Sequence, residues 1–459
     1  LENNPEYNPD EISRLIKNDR QFLWHPFTQM RDWCEEEPLI IASGNGALLR
    51  DVGGRDYIDG VASIWANVHG HCRDEIDRAV RDQLSKISHT TLLGLANVPA
   101  IKLARKLVEI APPPLSRVFY SDNGSTAVEV AVKMAFQYWQ QRTDPKPAKT
   151  GFVAFTNAYH GDTIGAVSLG GIDLFHDRFG PLLFKTYRAY YPYCYRCRYD
   201  KSYPSCNLYC LRSLEEILKQ RHAEIAAIII EPMVQGAAGM IVSPAGFLKR
   251  ARELATQYDV LLIADEVATG FGRTGPMFAC EHAGATPDIM ALGKGLTGGY
   301  VPVAATLTTE EVYDAFLGDY GEMKTFFHGH TYSGNPLGCA AAIASLELYE
   351  TDNVLAAIER KAAFLAQKLD RMRTLDHVGD IRQLGLMVGI ELVLDKRTRQ
   401  PYPWDRQIGI RTVGEARARG VILRPLGNVI VLMPPFCITE NQLATLNDAA
   451  KDAIEAATT

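Results

Sequence analysis

Val260-Leu261-Leu262-Ile263-Ala264-Asp265-Glu266-Val267 is a short apolar run that ends in two carboxylates. A run of this length, bounded by polar residues, reads as a strand buried on both faces. Such strands belong to parallel sheets covered by helices, where ligands gather at the carboxyl ends of the strands. Asp265 at that end calls for a cationic partner; its alternative reading is a cap on the following turn.

Outward from this strand the pattern repeats. Phe152–Phe155 and Ala226–Ile230 are further buried-strand candidates, and Arg117–Tyr120 is a strand candidate before a long helix over Ser125–Arg142. Helices are also expected over Glu75–Ile87 and Ala100–Ile110, the latter stopped by Pro112-Pro113-Pro114. Strands alternating with helices indicate an α/β domain with a mostly parallel sheet. Before it, Leu39–Ile41 and Ala47–Arg50 read as a small meander turning at Gly44-Asn45-Gly46. After Asn335, long helices and strands near Met387–Leu392 and Val429–Met433 suggest a second α+β unit. The expected division is residues 1–73, an N-terminal segment and part of a small domain; 74–335, a large domain; and 336–459, the rest of the small domain.

Lys294 lies 29 residues beyond Asp265 in Gly293-Lys294-Gly295. Flanking glycines let the backbone approach a bulky group, and crowding lowers an amine's pKa, as a Schiff-base lysine requires. A loop lysine exposed to solvent is the bland alternative. Asp265 and Lys294 together are the two groups that pyridoxal phosphate (PLP) needs: an imine-forming amine and a carboxylate that keeps the pyridine nitrogen protonated. Gly124-Ser125 opens the long helix and suits a phosphate, although ordinary helix caps look alike. Tyr159, in Tyr159-His160-Gly161-Asp162-Thr163 after the Phe152–Phe155 strand, could stack on a flat ring or be a core residue.

The segments Asp265-Glu266-Val267-Ala268-Thr269-Gly270-Phe271-Gly272-Arg273-Thr274-Gly275, Gly293-Lys294-Gly295 and His328-Gly329-His330-Thr331 carry a resemblance to the class III aminotransferases, from about Trp24 to Pro435. The resemblance implies PLP fold type I: a large domain around a mostly parallel seven-stranded sheet flanked by helices, plus a small α+β domain from both chain ends. It implies that Lys294, Asp265 and Tyr159 are catalytic. Gly124, Ser125, Tyr159, His160, Glu231, Asp265, Val267, Lys294, His330 and Thr331 would hold the cofactor, with Thr331 and His330 reaching across from a second subunit of a homodimer. Trp24-His25-Pro26-Phe27-Thr28, Asp59-Gly60, Val68-His69-Gly70 and Arg424-Pro425-Leu426-Gly427 point more narrowly to the branch that converts 8-amino-7-oxononanoate (KAPA) to 7,8-diaminononanoate (DAPA) in biotin biosynthesis, by a ping-pong exchange through Lys294. Phe27, Ile64, Trp65, Tyr159, Gly329 and Arg424 would line the substrate pocket. Arg424 would grip the KAPA carboxylate. Phe27, Ile64 and Val431 depart from the S-adenosylmethionine-using pattern, which favours lysine over S-adenosylmethionine as amino donor.

Cys194, Cys197, Cys206 and Cys210 fall within seventeen residues, beginning with C-x-x-C. They suit a structural zinc or Fe–S site; free thiols in a loop insertion are the alternative, and no metal is expected in catalysis. The remaining composition is unexceptional. In 459 residues, nine cysteines do not make a disulfide framework, and a net charge of -6 argues against a nucleic-acid binder. No apolar run reaches the ~20 residues of a membrane span. The polar stretch Leu1–Asp10 does not read as a signal peptide, so a cytoplasmic enzyme acting on small molecules is expected. Competing readings are a broad ω-amine or diamine:pyruvate transaminase, a class III decarboxylase or racemase, and an inactive PLP fold serving as a metal-binding regulatory protein.

Overall fold

A computed structural model of the chain describes residues 7–459; residues 1–6 of the polar N-terminal stretch lie outside the described residues. Its centre is a seven-stranded sheet: β1 (Leu115–Ser121), β2 (Gly151–Phe155), β3 (Tyr187–Ala189), β4 (Ile225–Ile230), β5 (Leu261–Asp265), β6 (Ile289–Leu292) and β7 (Ala304–Thr309). The spatial order is β1-β7-β6-β5-β4-β2-β3, and β7 alone runs antiparallel to its neighbours. Every residue of β4, β5, β6 and β7 is buried. That is why these strands carry no polar/apolar alternation: both faces meet helices.

The sequence expectation omitted β7, whose Ala304-Ala305-Thr306-Leu307-Thr308-Thr309 is poor in large apolar residues. Its threonines are tolerated inside because their hydroxyls are used. Thr306 donates to the Ala127 carbonyl at 2.8 Å, and Thr308 to that of Asp288 at 3.2 Å. β3 and β6 were also unanticipated, being only three and four residues long.

The long helix starts one residue earlier than expected, spanning Gly124–Gln141. Asn123 caps it by accepting from Thr126 N–H, and half its residues are buried between sheet and outer helices. The helix Val98–Ile110 ends ahead of the triple proline. Strands Ile41–Asn45, Leu48–Asp51 and Asp56–Asp59 form an antiparallel sheet shifted a few residues from the expected meander. Val421–Ile422 pairs with its last strand, in parallel, tying the two ends of the chain together. A further sheet contains Val378–Leu384, Met387–Asp395, Val429–Leu432 and Arg424–Leu426. Arg424 therefore opens a strand rather than occupying a turn.

The connection after Asp59 is unusual. Ala62, Ser63, Ile64 and Trp65 all have positive φ, from 46° to 69°. The left-handed region costs an L-residue roughly 1–2 kcal/mol, so the run must be held by its surroundings. Fully buried Asp59 accepts from Ser63 N–H at 3.0 Å and from the Ser63 hydroxyl at 2.8 Å. At the other end Arg273, also buried, donates to the carbonyls of Trp65 (3.3 Å), Asn67 (2.9 Å) and Pro434 (2.7 Å). Among the described residues no helix is long and apolar enough to cross a membrane.

Candidate active site

β5 delivers Asp265 to the carboxyl edge of the sheet, and Glu266 follows with the opposite orientation. The two carboxylates that looked alike in sequence therefore differ in role. Glu266 faces away and accepts from Ala279 N–H (3.1 Å), Cys280 N–H (2.8 Å) and the Thr269 hydroxyl (2.5 Å), closing a buried turn. Asp265 faces a cavity of about 790 Å³. One of its oxygens accepts from Val267 N–H at 3.1 Å and the other meets His160 Nδ1 at 2.7 Å. That contact identifies Nδ1–H as the donor. His160 Nε2 then has no partner.

The cavity brings together Gly124, Ser125, Tyr159, His160, Glu231, Asp265, Val267, Lys294 and Trp65, all singled out from sequence. Asp122, Asp162, Thr163 and Tyr300 also line it. The roles of these four were missed: Asp162 and Thr163 lie in the Tyr159–Thr163 stretch and Asp122 just before Gly124-Ser125, whereas nothing in the sequence pointed to Tyr300. Asp162 accepts from the Tyr159 hydroxyl at 2.7 Å, fixing the ring at the cavity wall.

Lys294 enters opposite the helix start, at φ 44° and directly after Gly293. Burial lowers its pKa, against the opposing pull of Asp265 and Glu231. Its amine lies 5.4 Å from the centre of the Trp65 ring. Glu231 accepts from Tyr159 N–H and Gly236 N–H, both at 3.0 Å. Burial pushes its pKa up to about 7; His160 pulls it down and Asp265 raises it further.

At the helix start, the first N–H groups lack intrahelical acceptors and their positive dipole end faces the cavity. Gly124 is required there by packing: a Cβ would sit 2.4 Å from Val267 Cγ1. Ser125 Oγ is 2.8 Å from Thr163 Oγ1 and accepts from Thr163 N–H at 3.0 Å, joining the helix start to the Tyr159 loop. The buried Trp65 Nε1 and Asp122 Oδ1 on the wall have no protein partner. An aromatic phosphate with a basic ring nitrogen and an aldehyde fits this donor set: anion site, carboxylate and an amine whose ammonium form burial disfavours lie around one space, with polar atoms still unsatisfied.

Other expected site residues lie elsewhere. Phe27 and Ile64 are exposed and outside the cavity wall, although Phe27 packs edge-on to Phe175, which in turn meets Tyr159. Val431, taken from sequence as a pocket position, is instead fully buried in the small-sheet core, cross-strand from Arg424. Arg424 is half-buried and close enough to Tyr159 for each to influence the other's proton affinity. Gly329 and Thr331 are exposed and do not line this chain's own cavity. His330 Nδ1 lies 2.6 Å from Asp122 Oδ2 at its rim.

The four clustered cysteines line a second cavity of about 310 Å³. All are free thiols, and among the described residues no three His, Cys, Asp or Glu side chains form a metal-holding group.

The sequence profile of the class-III aminotransferases matches residues 30–454. The chain is 56% identical to the adenosylmethionine-8-amino-7-oxononanoate aminotransferase of Geobacter sulfurreducens, over 98% of this chain and 99% of that protein. The crystal structure of the protein of that name from Methanocaldococcus jannaschii superposes with a TM-score of 0.92 at 46% identity, covering 97% of this chain and 99% of that one. A PLP-bound amine transaminase from an uncultivated Pseudomonas species gives 0.91 at 38% identity, covering 95% and 98%.

Proposed function

The chain belongs to the class III aminotransferases and is a PLP-dependent enzyme, and from that premise we propose that it transaminates KAPA to DAPA in biotin biosynthesis. The observation that carries this reading is the combination of 56% identity over nearly the full length to a relative named for 8-amino-7-oxononanoate with Arg424 close to Tyr159, a residue of the cavity wall. We propose S-adenosylmethionine as donor, in place of the lysine favoured from sequence. Of the three residues behind that preference, Val431 is in the core, and the relatives carry adenosylmethionine in their names.

When bound, PLP supplies an electron sink for negative charge at a substrate carbon. The chain's residues do the rest. Asp265, oriented by His160 Nδ1–H and Val267 N–H, holds a proton on the ring nitrogen. The helix start at Gly124-Ser125 binds the phosphate. Lys294, its ammonium form disfavoured by burial, is available to accept a proton from the substrate carbon and return it. Tyr159 and Trp65 exclude water from the cavity walls, and the unpartnered Trp65 Nε1–H can donate to substrate. Arg424 takes the KAPA carboxylate as a two-pronged donor. Donor and acceptor use this one cavity in turn, which makes the order ping-pong.

A homodimer belongs to the same reading. Trp24, Leu93 and Phe327 are 88%, 89% and 70% exposed, which agrees with cover by a second copy, and exposed Gly329 and Thr331 would complete that copy's cavity, whereas His330 meets Asp122 of its own chain. A cytoplasmic location agrees with nine unpaired cysteines.

The test is single-turnover spectroscopy of the PLP-loaded protein. S-adenosylmethionine should deplete the cofactor's absorbance band and KAPA should restore it. Depletion by lysine alone would reassign the donor. A band that amines deplete but KAPA never restores would favour a broad amine transaminase, the second reading, which the Pseudomonas structure supports at lower identity.

A further inference from the structure

The segment from Tyr193 to Cys210 has an unsolved stability problem. None of its eighteen residues is buried. Its regular structure is two single 3₁₀ turns, Cys194–Arg196 at one end and Tyr209–Leu211 at the other. Between them the backbone bonds only locally, as in Asp200 N–H to Cys197 O and Tyr209 N–H to Cys206 O, and Asp200, Asn207 and Leu208 take left-handed φ. One end is well anchored: Arg196 Nε meets Glu391 at 2.6 Å, and Arg399 donates to Tyr195 O at 2.6 Å. Among the described residues, the stretch from Cys197 to Cys206 has no hydrogen bond or ion pair to the body of the protein, only the packing of Arg198 and Tyr199 against Tyr190. Small units without a core often gain order from disulfides or a metal.

The chemistry for a staple is present. The cysteines occur as C-x2-C and C-x3-C, two ligand pairs at spacings that let one turn present both sulfurs. All four line one cavity; the Cys210 thiol feels the other three, and that of Cys194 feels Cys197 and Cys206. No disulfide joins them. Arg198 and Lys201 line the same cavity, their charges lying over the Tyr190 and Tyr209 rings.

We propose that Cys194, Cys197, Cys206 and Cys210 form a structural zinc site that fastens this loop. Four thiols lose their protons to solvent as Zn²⁺ enters, leaving a net charge of about 2− on the tetrathiolate, which Arg198 and Lys201 offset. No three of these side chains are yet grouped to hold a metal, so binding closes the loop around the ion rather than filling a finished site. The zinc lies outside the cofactor cavity and takes no part in transfer of the amino group.

The test uses the full-length, PLP-loaded protein. Elemental analysis after growth with zinc should find about one zinc per chain, resistant to gel filtration. Cobalt(II) added to the metal-stripped protein should give the visible and thiolate charge-transfer bands of a tetrahedral tetrathiolate. The C197S/C206S variant should lose zinc while keeping its PLP absorbance. Because the cobalt spectrum is taken on the unaltered chain, the test survives a variant that fails to fold. Zinc well below stoichiometric with no thiolate–cobalt bands, a mass corresponding to two disulfides, or acid-labile sulfide with iron would each overturn the proposal.

Discussion

The loop from Thr156 to Tyr159 separates two cavities of opposite construction. On the Tyr159 side the cofactor cavity is assembled from ends of regular structure: the end of β5, the start of the helix Gly124–Gln141 and the turn carrying Lys294. On the Thr156 side the cysteine cavity is walled largely by irregular chain with no buried residue between Tyr193 and Cys210. The first is framed by a sheet whose central strands are buried along their whole length. The second has its reactive groups gathered but not yet arranged. Pre-organisation comes from strands and helices packed elsewhere, and a site made of loop must take its order from what it binds.

Substitutions can break or sharpen this contrast. The largest effect belongs to Lys294→Ala, which should lower the transamination rate roughly 10³-fold or more while leaving thermal stability and cysteine reactivity unchanged. Altered thiol reactivity would mean that the two cavities are coupled. Asp265→Asn should lower kcat by about 10- to 100-fold, the value of a hydrogen bond to a charged group, and shift the cofactor's absorbance as the ring nitrogen loses its proton. Arg424→Met should raise KM for KAPA by about 10-fold or more with kcat and PLP binding little changed. A fall in kcat alone would place Arg424 outside the substrate site.

The cysteine side is addressed through its anchor. Burial works to raise the pKa of Glu391, but Arg382, Tyr193 and Arg196 outweigh it and hold the carboxyl below its ordinary value. A depressed carboxylate contributes stability that is present above the unfolded-state pKa of 4.5 and is lost as pH falls through the folded value. Denaturant melts should therefore show an acid-side loss that Glu391→Gln largely removes. The same variant should speed alkylation of Cys194 and Cys197 without altering KM for KAPA. Least in size is Ile64→Gly: relief of left-handed strain against the entropy of a new glycine should stabilise the chain by up to about 1 kcal/mol, read as a small rise in Tm.

Much of the first cavity was legible because its residues are dictated locally. An apolar strand ending in Asp265, glycines around Lys294 and a Gly-Ser helix start announce themselves through backbone geometry. What escaped depends on distant partners. Nothing in Ala62-Ser63-Ile64-Trp65 signals four left-handed residues, since the enforcing groups are Asp59 and Arg273. Asp265 and Glu266 are chemically alike, and only the side of the strand each faces divides their roles. Val431 was read as a pocket residue, but it pairs across the hairpin from Arg424 and is buried in the small-sheet core. Threonine-rich β7 was missed because its hydroxyls find acceptors at Ala127 and Asp288, far away in sequence.

The Arg273 clamp also sets a clock. Its guanidinium fastens the Trp65 and Asn67 carbonyls together with that of Pro434. At about 5–20 residues per second, synthesis takes roughly 20–70 s to travel from residue 65 to residue 434. Throughout that interval the Trp65 side of the cofactor cavity cannot have its final clamp, although the strands of the large sheet have all been made by residue 309. Completion of the active site is therefore among the last events in the life of the nascent chain.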